Sequence, residues 1–346
     1  MSDIFFLSNV IEADRRRYCG WKKSGGRSYA WRYRGRIVAC VFVEVIIICA
    51  LVIMIGWNKG VKEWFEQFEQ PVLKEVDISG INSPNAILMQ ARGGKILGEI
   101  NGEAQIYPAS MTKIMTVILG IENFDNLDEK ITLTDEMFSG LYEQDATQAG
   151  FQPGEEVRVI DLLYGAMLPS GAECCIALAD TISGSEADFA ELMNKKARKL
   201  GMENTHFCDS TGLHNPDHYS TVKDIAVLMK YCIKNDTFRE IVETSRHSTG
   251  VTNIHPDGIT YYSTMFKNLS DPTVTGGKIL GGKTGYTSEA GHCLVSFAEI
   301  EGREYIFVSA GASGADGNTI PHIQDAVTVY NRVGAAIEAK MNDNNK

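Results

Sequence analysis

The sequence predicts an α+β fold in which an antiparallel sheet is flanked by helices. Two short apolar strands come first, at 86–90 and 95–100, on either side of an Arg-Gly-Gly turn. From residue 110 to 233 apolar residues recur at helical spacing, whereas 278–311 returns to runs typical of strands. We therefore expect one folded domain in which the N-terminal hairpin and the C-terminal strands share a sheet.

Helices are predicted where apolar residues recur every three or four positions between Gly, Pro or Ser residues. The first helix follows Pro108, whose missing N–H does no harm at the start of a helix. Residues 130–133 follow this helix and lead into a polar stretch, and residues 338–346 are predicted to be a polar tail. The remaining predicted helices span 157–168, 174–182, 189–200, 221–233 and 323–337.

Residues 37–57 form an apolar run of 21 residues with one charged side chain, Glu44. At about 1.5 Å per residue, a helix of this length crosses the ~30 Å hydrocarbon layer of a bilayer. Residues 1–36 hold nine Lys and Arg against three acids, a net charge of +6. The positive-inside rule then predicts a cell-membrane protein with a single span, a basic cytoplasmic tail at 1–36 and an extracytoplasmic body. A cleaved signal peptide is the alternative, although the run is long for one and no small-residue cleavage site follows it.

The folded domain is predicted at 83–337. Before it, residues 58–82 are expected to form a stalk or an interfacial helix, since Trp64, Phe65 and Phe68 alternate with Lys and Glu. The predicted organisation is therefore a tail, a span, a stalk and one domain.

The body of the chain is acidic. Residues 58–346 hold 24 Lys and Arg against 40 Asp and Glu, a net charge of −16, which argues against a nucleic acid as partner. We predict no metal and no cofactor, because the cysteines lack zinc-ligand spacing. His214 and His218 are four residues apart, but Pro216 between them interrupts any helix that would place both on one face.

Five cysteines lie beyond residue 57, and an odd number excludes a complete set of disulfides within that part of the chain. We expect Cys174 and Cys175 to be small buried hydrophobic residues. Whether Cys208 or Cys293 is oxidised is left open by the sequence.

The most informative stretch is YPASMTK at 107–113, which joins a turn to an apolar helical run. Residues three apart on a helix lie on the same face, so the Lys113 amine is expected to reach the Ser110 hydroxyl. A partly desolvated lysine loses its proton more easily and then serves as the base that a serine nucleophile needs. Serine and lysine at this spacing are common by chance, so the pair indicates a catalytic site only if further motifs accompany it.

Further motifs follow in order. With YPASMTK they resemble the low-molecular-weight D-alanyl-D-alanine carboxypeptidases, the S11 serine peptidases of bacterial cell walls. The resemblance covers about residues 83–333. The other runs that carry it are LPSG at 168–171, DSTGL at 209–213, HYST at 218–221 and GKTGYT at 282–287.

The resemblance implies a β-lactamase/transpeptidase-like fold and a reaction. The enzyme would remove the terminal D-alanine from peptidoglycan stem pentapeptides, and β-lactams would inhibit it covalently. Ser110 would form the acyl-enzyme, Lys113 would take its proton, and Ser170 would relay that proton to the leaving amine.

The same resemblance assigns substrate binding to a strand. Lys283 and Thr284 would hold the terminal carboxylate of the substrate. Gly285 has no side chain, so the substrate would lie against the backbone. The backbone N–H groups of Ser110 and Tyr286 would form the oxyanion hole.

The sequence departs from the family pattern after Ser170. The third position of that motif is normally asparagine, whose amide holds the substrate, and here it is Ala172, followed by Glu173. Two alternatives therefore remain beside the carboxypeptidase. One is a catalytically weak penicillin-binding or wall-binding module, and the other is a β-lactamase of the same fold.

Overall fold

A six-stranded antiparallel sheet lies at the centre of the fold. The computed structural model describes residues 73–269, 271–314 and 320–344. The six strands are β1 (Asn85–Gln90), β2 (Ile96–Ile100), β7 (Thr273–Val274), β8 (Gly277–Thr287), β9 (Gly291–Ile300) and β10 (Arg303–Ala312). Their order across the sheet is β2-β1-β10-β9-β8-β7.

The N-terminal hairpin and the C-terminal strands share this sheet, as predicted. Strand β1 pairs with β10 in antiparallel register from Asn85 opposite Ala310 to Gln90 opposite Tyr305. Neighbouring residues of a strand point to opposite faces. In β1 this places Ile87 in the hydrophobic core on one face of the sheet and Leu88 in the core on the other face.

Helices cover both faces of the sheet. Among the described residues, one face carries six helices, and the other carries the C-terminal helix and a short helix that precedes β7. In chain order the helices are α1 (Lys113–Asn123), α2 (Val159–Met167), α3 (Ala172–Ser183), α4 (Glu186–Leu200), α5 (Val222–Cys232), α6 (Asp236–Glu243), α7 (Thr264–Asn268) and α8 (Pro321–Asn344). The expected α+β class is therefore confirmed.

Two small hairpins extend the helical side. Strand β3 (Lys130–Thr132) pairs with β4 (Glu156–Arg158), and β5 (Arg246–Ser248) pairs with β6 (Thr260–Tyr262). The sequence predicted none of these four strands. It also placed residues 157 and 158 in a helix, whereas both lie in β4.

The predicted domain start at residue 83 is wrong by about ten residues. The segment 73–82 has no regular helix or strand, but Leu73, Val76 and Ile78 are buried against the sheet and α8. The Val76 amide also donates to the Leu97 carbonyl at 2.7 Å. These ten residues of the predicted stalk are therefore part of the domain, because their apolar side chains complete its second core.

The C-terminal boundary also differs, since α8 continues past Ile337 to Asn344. Residues 338–344 of the predicted polar tail are its last two turns. Within the part of the chain that is described, no helix combines the length and the apolar character that a membrane span requires. The predicted tail at 1–36, span at 37–57 and first part of the stalk lie outside the described residues.

Asp325 of α8 ties the segment before β1 to the domain. Its carboxylate accepts hydrogen bonds from the amide and side chain of Asn82 at 2.8 Å and from the amide and hydroxyl of Ser83 at 2.9 and 2.6 Å. The carboxylate is buried, so water does not replace these bonds easily. This residue fixes where the N-terminal segment joins the fold.

We expect Asp325→Ala to lower the free energy of unfolding by about 3 kcal/mol, because it leaves the buried Ser83 donors without an acceptor. Urea denaturation followed by circular dichroism measures the effect. Glu338→Ala, an exposed change on the same helix, is the control and should leave the midpoint unchanged. Equal midpoints for the two variants would contradict this role of Asp325.

Candidate active site

Ser110 lies in a single 3-10 turn, Ala109–Thr112, that leads directly into α1. Lys113 is the first residue of that α-helix. The turn follows Pro108, and Ala109 has a φ of 47°, an unusual value for a residue other than glycine. The sequence placed Ser110 at a helix N-terminus, and the structure puts it one turn before the α-helix proper.

The Lys113 amine donates to the Ser110 Oγ at 3.0 Å and to the Thr211 carbonyl at 2.6 Å. The lysine is almost fully buried, and this burial lowers its pKa below the ordinary 10.5. The negative charge of the Asp209 carboxylate acts in the opposite direction, as would ionisation of Cys175 or Glu173. A neutral amine is thus easier to form here than in water, which is what a base acting on Ser110 requires.

Ser170 lies in the loop between α2 and α3, with a φ of 74°. For a serine this left-handed conformation costs on the order of 1 kcal/mol or more and is held by the surrounding structure. Its hydroxyl donates to the Ser110 Oγ at 3.0 Å and accepts from the Lys283 amine at 3.0 Å. Ser170 therefore connects the serine to the second lysine.

Lys283 extends from β8 and is also almost fully buried. Besides Ser170, its amine donates to the Thr284 carbonyl at 2.8 Å. Burial, together with the nearby Lys113 ammonium, holds the pKa of Lys283 well below its ordinary value. The four side chains form one continuous hydrogen-bonded chain in the order Lys283, Ser170, Ser110 and Lys113.

The edge of β8 passes directly beside the nucleophile. A Cβ atom added to Gly285 would lie 2.9 Å from the Ser110 nitrogen, closer than real Cβ atoms approach. Glycine is therefore required where the strand meets the turn. The Thr284 hydroxyl, which is 2.7 Å from the Thr264 hydroxyl, and the largely exposed Tyr286 continue this edge.

An open cleft of about 750 Å³ runs along this strand edge. Ser110, Ser170, Thr284, Gly285 and Tyr286 are among its lining residues. Lys113 and Lys283 lie beneath the floor, where they reach the two hydroxyls but have little contact with solvent.

All seven residues that the sequence assigned to the site therefore meet at one place.

The sequence did not predict the groups that hydrogen-bond to these residues and hold them in position. The Thr211 carbonyl holds Lys113, and the Thr264 hydroxyl contacts Thr284. Neither has a sequence signal of its own, although Thr211 belongs to the DSTGL run.

Glu173 is another residue that the sequence did not assign to the site. Its Oε1 accepts from the amides of Ala149 and Gly150 at 2.6 and 2.9 Å, while Oε2 is buried without a partner. Burial raises the pKa of this carboxyl group. Ala172 before it is buried, and its amide donates to the Thr147 carbonyl at 2.8 Å. Both residues thus hold the loop that forms the cleft wall opposite β8.

The other predicted residues have structural roles. Cys174 and Cys175 are fully buried, as expected, and Cys208 and Cys293 are both free thiols. Among the described residues, no group of three or more His, Cys, Asp or Glu side chains is placed to hold a metal ion.

The family profile of the D-alanyl-D-alanine carboxypeptidases, peptidase family S11, matches residues 72–314. The chain belongs to this family. The match starts at residue 72, eleven residues before the domain boundary predicted from the sequence, in agreement with the packing of segment 73–82. It also covers every residue of the hydrogen-bonded chain around Ser110.

Individual S11 relatives agree with this assignment. The D-alanyl-D-alanine carboxypeptidase DacF of Bacillus subtilis is 35% identical over 231 residues, which cover 66% of this chain and 57% of the relative. DacC of Escherichia coli is 33% identical over 261 residues, or 68% of this chain and 58% of the relative. The chain therefore spans little more than half the length of these two relatives.

Solved structures support the same fold. A mutant of the Streptomyces K15 DD-transpeptidase superposes with a TM-score of 0.67 at 30% identity, covering 74% of this chain and 98% of that one. The β-lactamase/transpeptidase-like fold implied by the motifs is thus confirmed for the described domain.

We expect Gly285→Ala to slow covalent labelling by a fluorescent penicillin about 10²-fold, since the new methyl group displaces the Ser110 amide from its position. The rate is measured by gel fluorescence over time. Gly250→Ala is the control, because a Cβ there makes only ordinary contacts, 3.5 Å or more from the Arg158 side chain. Unchanged labelling of Gly285→Ala would exclude this close approach.

Proposed function

We propose that this protein is a serine-type D-Ala-D-Ala carboxypeptidase that removes the terminal D-alanine from peptidoglycan stem pentapeptides. The observation that carries the proposal is the continuous chain of hydrogen bonds from Lys283 through Ser170 and Ser110 to Lys113. It supplies a nucleophile, a base, a proton relay and a cation within one open cleft. Membership of the S11 family supports the choice of substrate.

In the proposed reaction, neutral Lys113 takes the Ser110 proton as the hydroxyl oxygen attacks the carbonyl carbon of the penultimate D-alanine. The tetrahedral oxyanion accepts hydrogen bonds from the backbone amides of Ser110 and Tyr286. The proton passes through Ser170 to the leaving nitrogen, and the C–N bond breaks. Free D-alanine departs, and water later hydrolyses the ester on Ser110.

Recognition of the substrate is assigned to β8. The Lys283 ammonium attracts the terminal carboxylate, and the Thr284 hydroxyl donates to it. The negative charge of this carboxylate favours the charged form of Lys283, which burial alone disfavours. Because β-lactams carry a carboxylate beside a reactive carbonyl, the same groups would bind them, and the long-lived ester on Ser110 would inhibit the enzyme.

A second candidate function rests on Ala172. The methyl group is buried and provides no amide for the substrate. A catalytically weak penicillin-binding or wall-binding module would have this property, since acylation of Ser110 needs Lys113 but not the missing asparagine. A β-lactamase of the same fold is the other alternative, and the rate of deacylation separates it from both.

The deciding experiment incubates the full chain with a fluorescent penicillin and, separately, with a peptide ending in D-Ala-D-Ala. We expect stable labelling and release of D-alanine, and the loss of both in Ser110→Ala. Ser139→Ala, an exposed serine outside the cleft, is the matched control and should behave as the wild type. Labelling without release would support the weak module, and rapid loss of label as penicilloic acid would support the β-lactamase.

We further propose that residues 37–57 anchor the protein in the cell membrane, with 1–36 in the cytoplasm and the catalytic domain outside, where peptidoglycan lies. The support is the apolar run and the net charge of +6 before it. The proposed activity requires this side of the membrane.

In fractionated cells we expect the full chain in the membrane pellet, resistant to carbonate extraction. A chain lacking residues 37–57 should move to the soluble fraction, because its ~30 Å apolar segment is gone. Added protease should digest the domain in spheroplasts, whose outer surface is accessible. A full chain that is soluble, or a domain protected until the cells are lysed, would contradict the proposed anchoring and orientation.

A further inference from the structure

A buried Asp209–His218 pair lies behind the nucleophile and has no part in the reaction described above. The Nδ1 atom of His218 is 3.0 Å from Asp209 Oδ2. A carboxylate only accepts hydrogen bonds, so Nδ1 donates to Asp209 in the tautomer that carries its proton there; the Cys208 amide also points at this nitrogen, at 3.3 Å. The imidazole is almost fully buried and the carboxylate is largely shielded. A shielded carboxylate needs such partners, because the desolvation of a buried ion costs several kcal/mol.

The other oxygen of Asp209 organises the turn that holds Lys113. Its Oδ1 accepts from the Thr211 amide at 2.8 Å, the Thr211 hydroxyl at 2.7 Å and the Gly212 amide at 2.6 Å. These bonds orient the Thr211 carbonyl, which accepts from the Lys113 amine at 2.6 Å. Asp209 therefore acts on the catalytic amine through one peptide group.

The turn at residues 209–212 also packs against the backbone that carries Ser110. Gly212 has a φ of 80°, and a Cβ atom there would lie 1.9 Å from the Ala109 carbonyl oxygen. The turn and the 3-10 turn that carries Ser110 are thus in direct backbone contact. A shift of one displaces the other.

His218 closes a ring of contacts. Its Nε2 is 2.9 Å from the hydroxyl of Thr112, the residue between Met111 and Lys113. The ring runs from Thr112 through His218, Asp209 and Thr211 to Lys113 and returns along the backbone. It joins segments that are about a hundred residues apart in the chain, so the fold and not the local sequence holds it together.

The pair also acts on Lys113 by charge. Hydrogen bonds and the His218 partner lower the pKa of Asp209 to about 2, against the effect of its burial. Its negative charge in turn raises the pKa of the Lys113 amine. The other titratable groups that face Lys113 or this turn are Glu173, Cys174, Cys175, Glu186, Cys208, Asp217 and Lys283.

We propose that Asp209, paired with His218, is a positioning residue for Lys113. It fixes the place of the amine relative to Ser110 and sets the pH above which that amine is available as a base. This inference rests on the proposed acylation of Ser110, and it adds a function for two residues that the reaction itself leaves unused.

The test measures the rate of labelling by a fluorescent penicillin between pH 5 and 10 for the wild type and for Asp209→Asn. The amide oxygen keeps the acceptor that the turn needs. The amide NH2 group replaces Oδ2, so the charge is removed and His218 accepts at Nδ1 instead of donating there. Without that charge Lys113 loses its proton more easily, so we expect the acid limb of the profile to move to lower pH. An acid limb at the wild-type position would overturn the electrostatic part of the proposal.

Asp209→Ala tests positioning. Loss of the acceptor frees the turn, and a displacement of about 1 Å costs roughly 10²-fold in rate. We therefore expect labelling to fall by that factor at every pH, while Asp209→Asn stays within a few fold of the wild-type plateau. Wild-type labelling by the alanine variant would overturn the positioning role. Thermal unfolding checks that each variant is folded. If Asp209→Ala does not fold, Asp209→Asn still tests the proposal.

Asp224→Asn is the matched control. Asp224 is a buried carboxylate on α5 that accepts from the Asn204 amide at 2.9 Å and the Thr205 hydroxyl at 2.7 Å, away from Lys113. Its loss should lower stability without moving the acid limb. An equal shift in this control would overturn the specific role of Asp209. If the wild type is not labelled at all, the proposed acylation has failed, and that result is distinct from a labelled wild type whose acid limb does not respond to Asp209→Asn.

Discussion

Two buried lysines share one pair of serine hydroxyls, and the rest of the site is arranged around this constraint. An ammonium group loses its hydration on burial, so each lysine needs acceptors and has a lowered pKa. The Thr211 and Thr284 carbonyls supply those acceptors. Because Ser170 and Ser110 lie between the two amines, a proton has a short path from one end of the chain to the other. Ser110 is easily deprotonated because Lys113 is buried, and not only because a lysine stands at that position.

The fold delivers these groups from separate elements. The 3-10 turn supplies Ser110, the first residue of α1 is Lys113, the loop between α2 and α3 supplies Ser170, and β8 supplies Lys283. Strand β8 is long enough to reach both the core and the cleft, since Ile279 near its start is buried in the second core while Tyr286 near its end is largely exposed. Alternation along the strand then places Lys283 beneath the floor and Thr284 on the cleft side.

The sequence predicted the features that depend on local pattern. The hairpin, most helices and the shared sheet follow from the periodicity of apolar residues, and the seven site residues follow from motifs in a fixed order. Segment 73–82 was misassigned because its three buried apolar residues follow neither helical nor strand spacing. The β5–β6 hairpin was missed because its strands have three residues each and are mostly polar. The Asp209–His218 pair was missed because its members belong to two separate motifs, and only the fold shows that the two side chains meet beside Lys113.

The contact between Gly285 and the Ser110 amide joins the two layers of the domain at the site itself. Ser110 and Lys113 belong to the helical side of the domain, whereas Lys283 and Thr284 belong to the sheet. Their hydrogen-bonded chain is complete only when the helices and the sheet are packed in correct registration. Reactivity of the serine therefore depends on how the helical layer docks on the sheet, and neither layer alone contains the complete site.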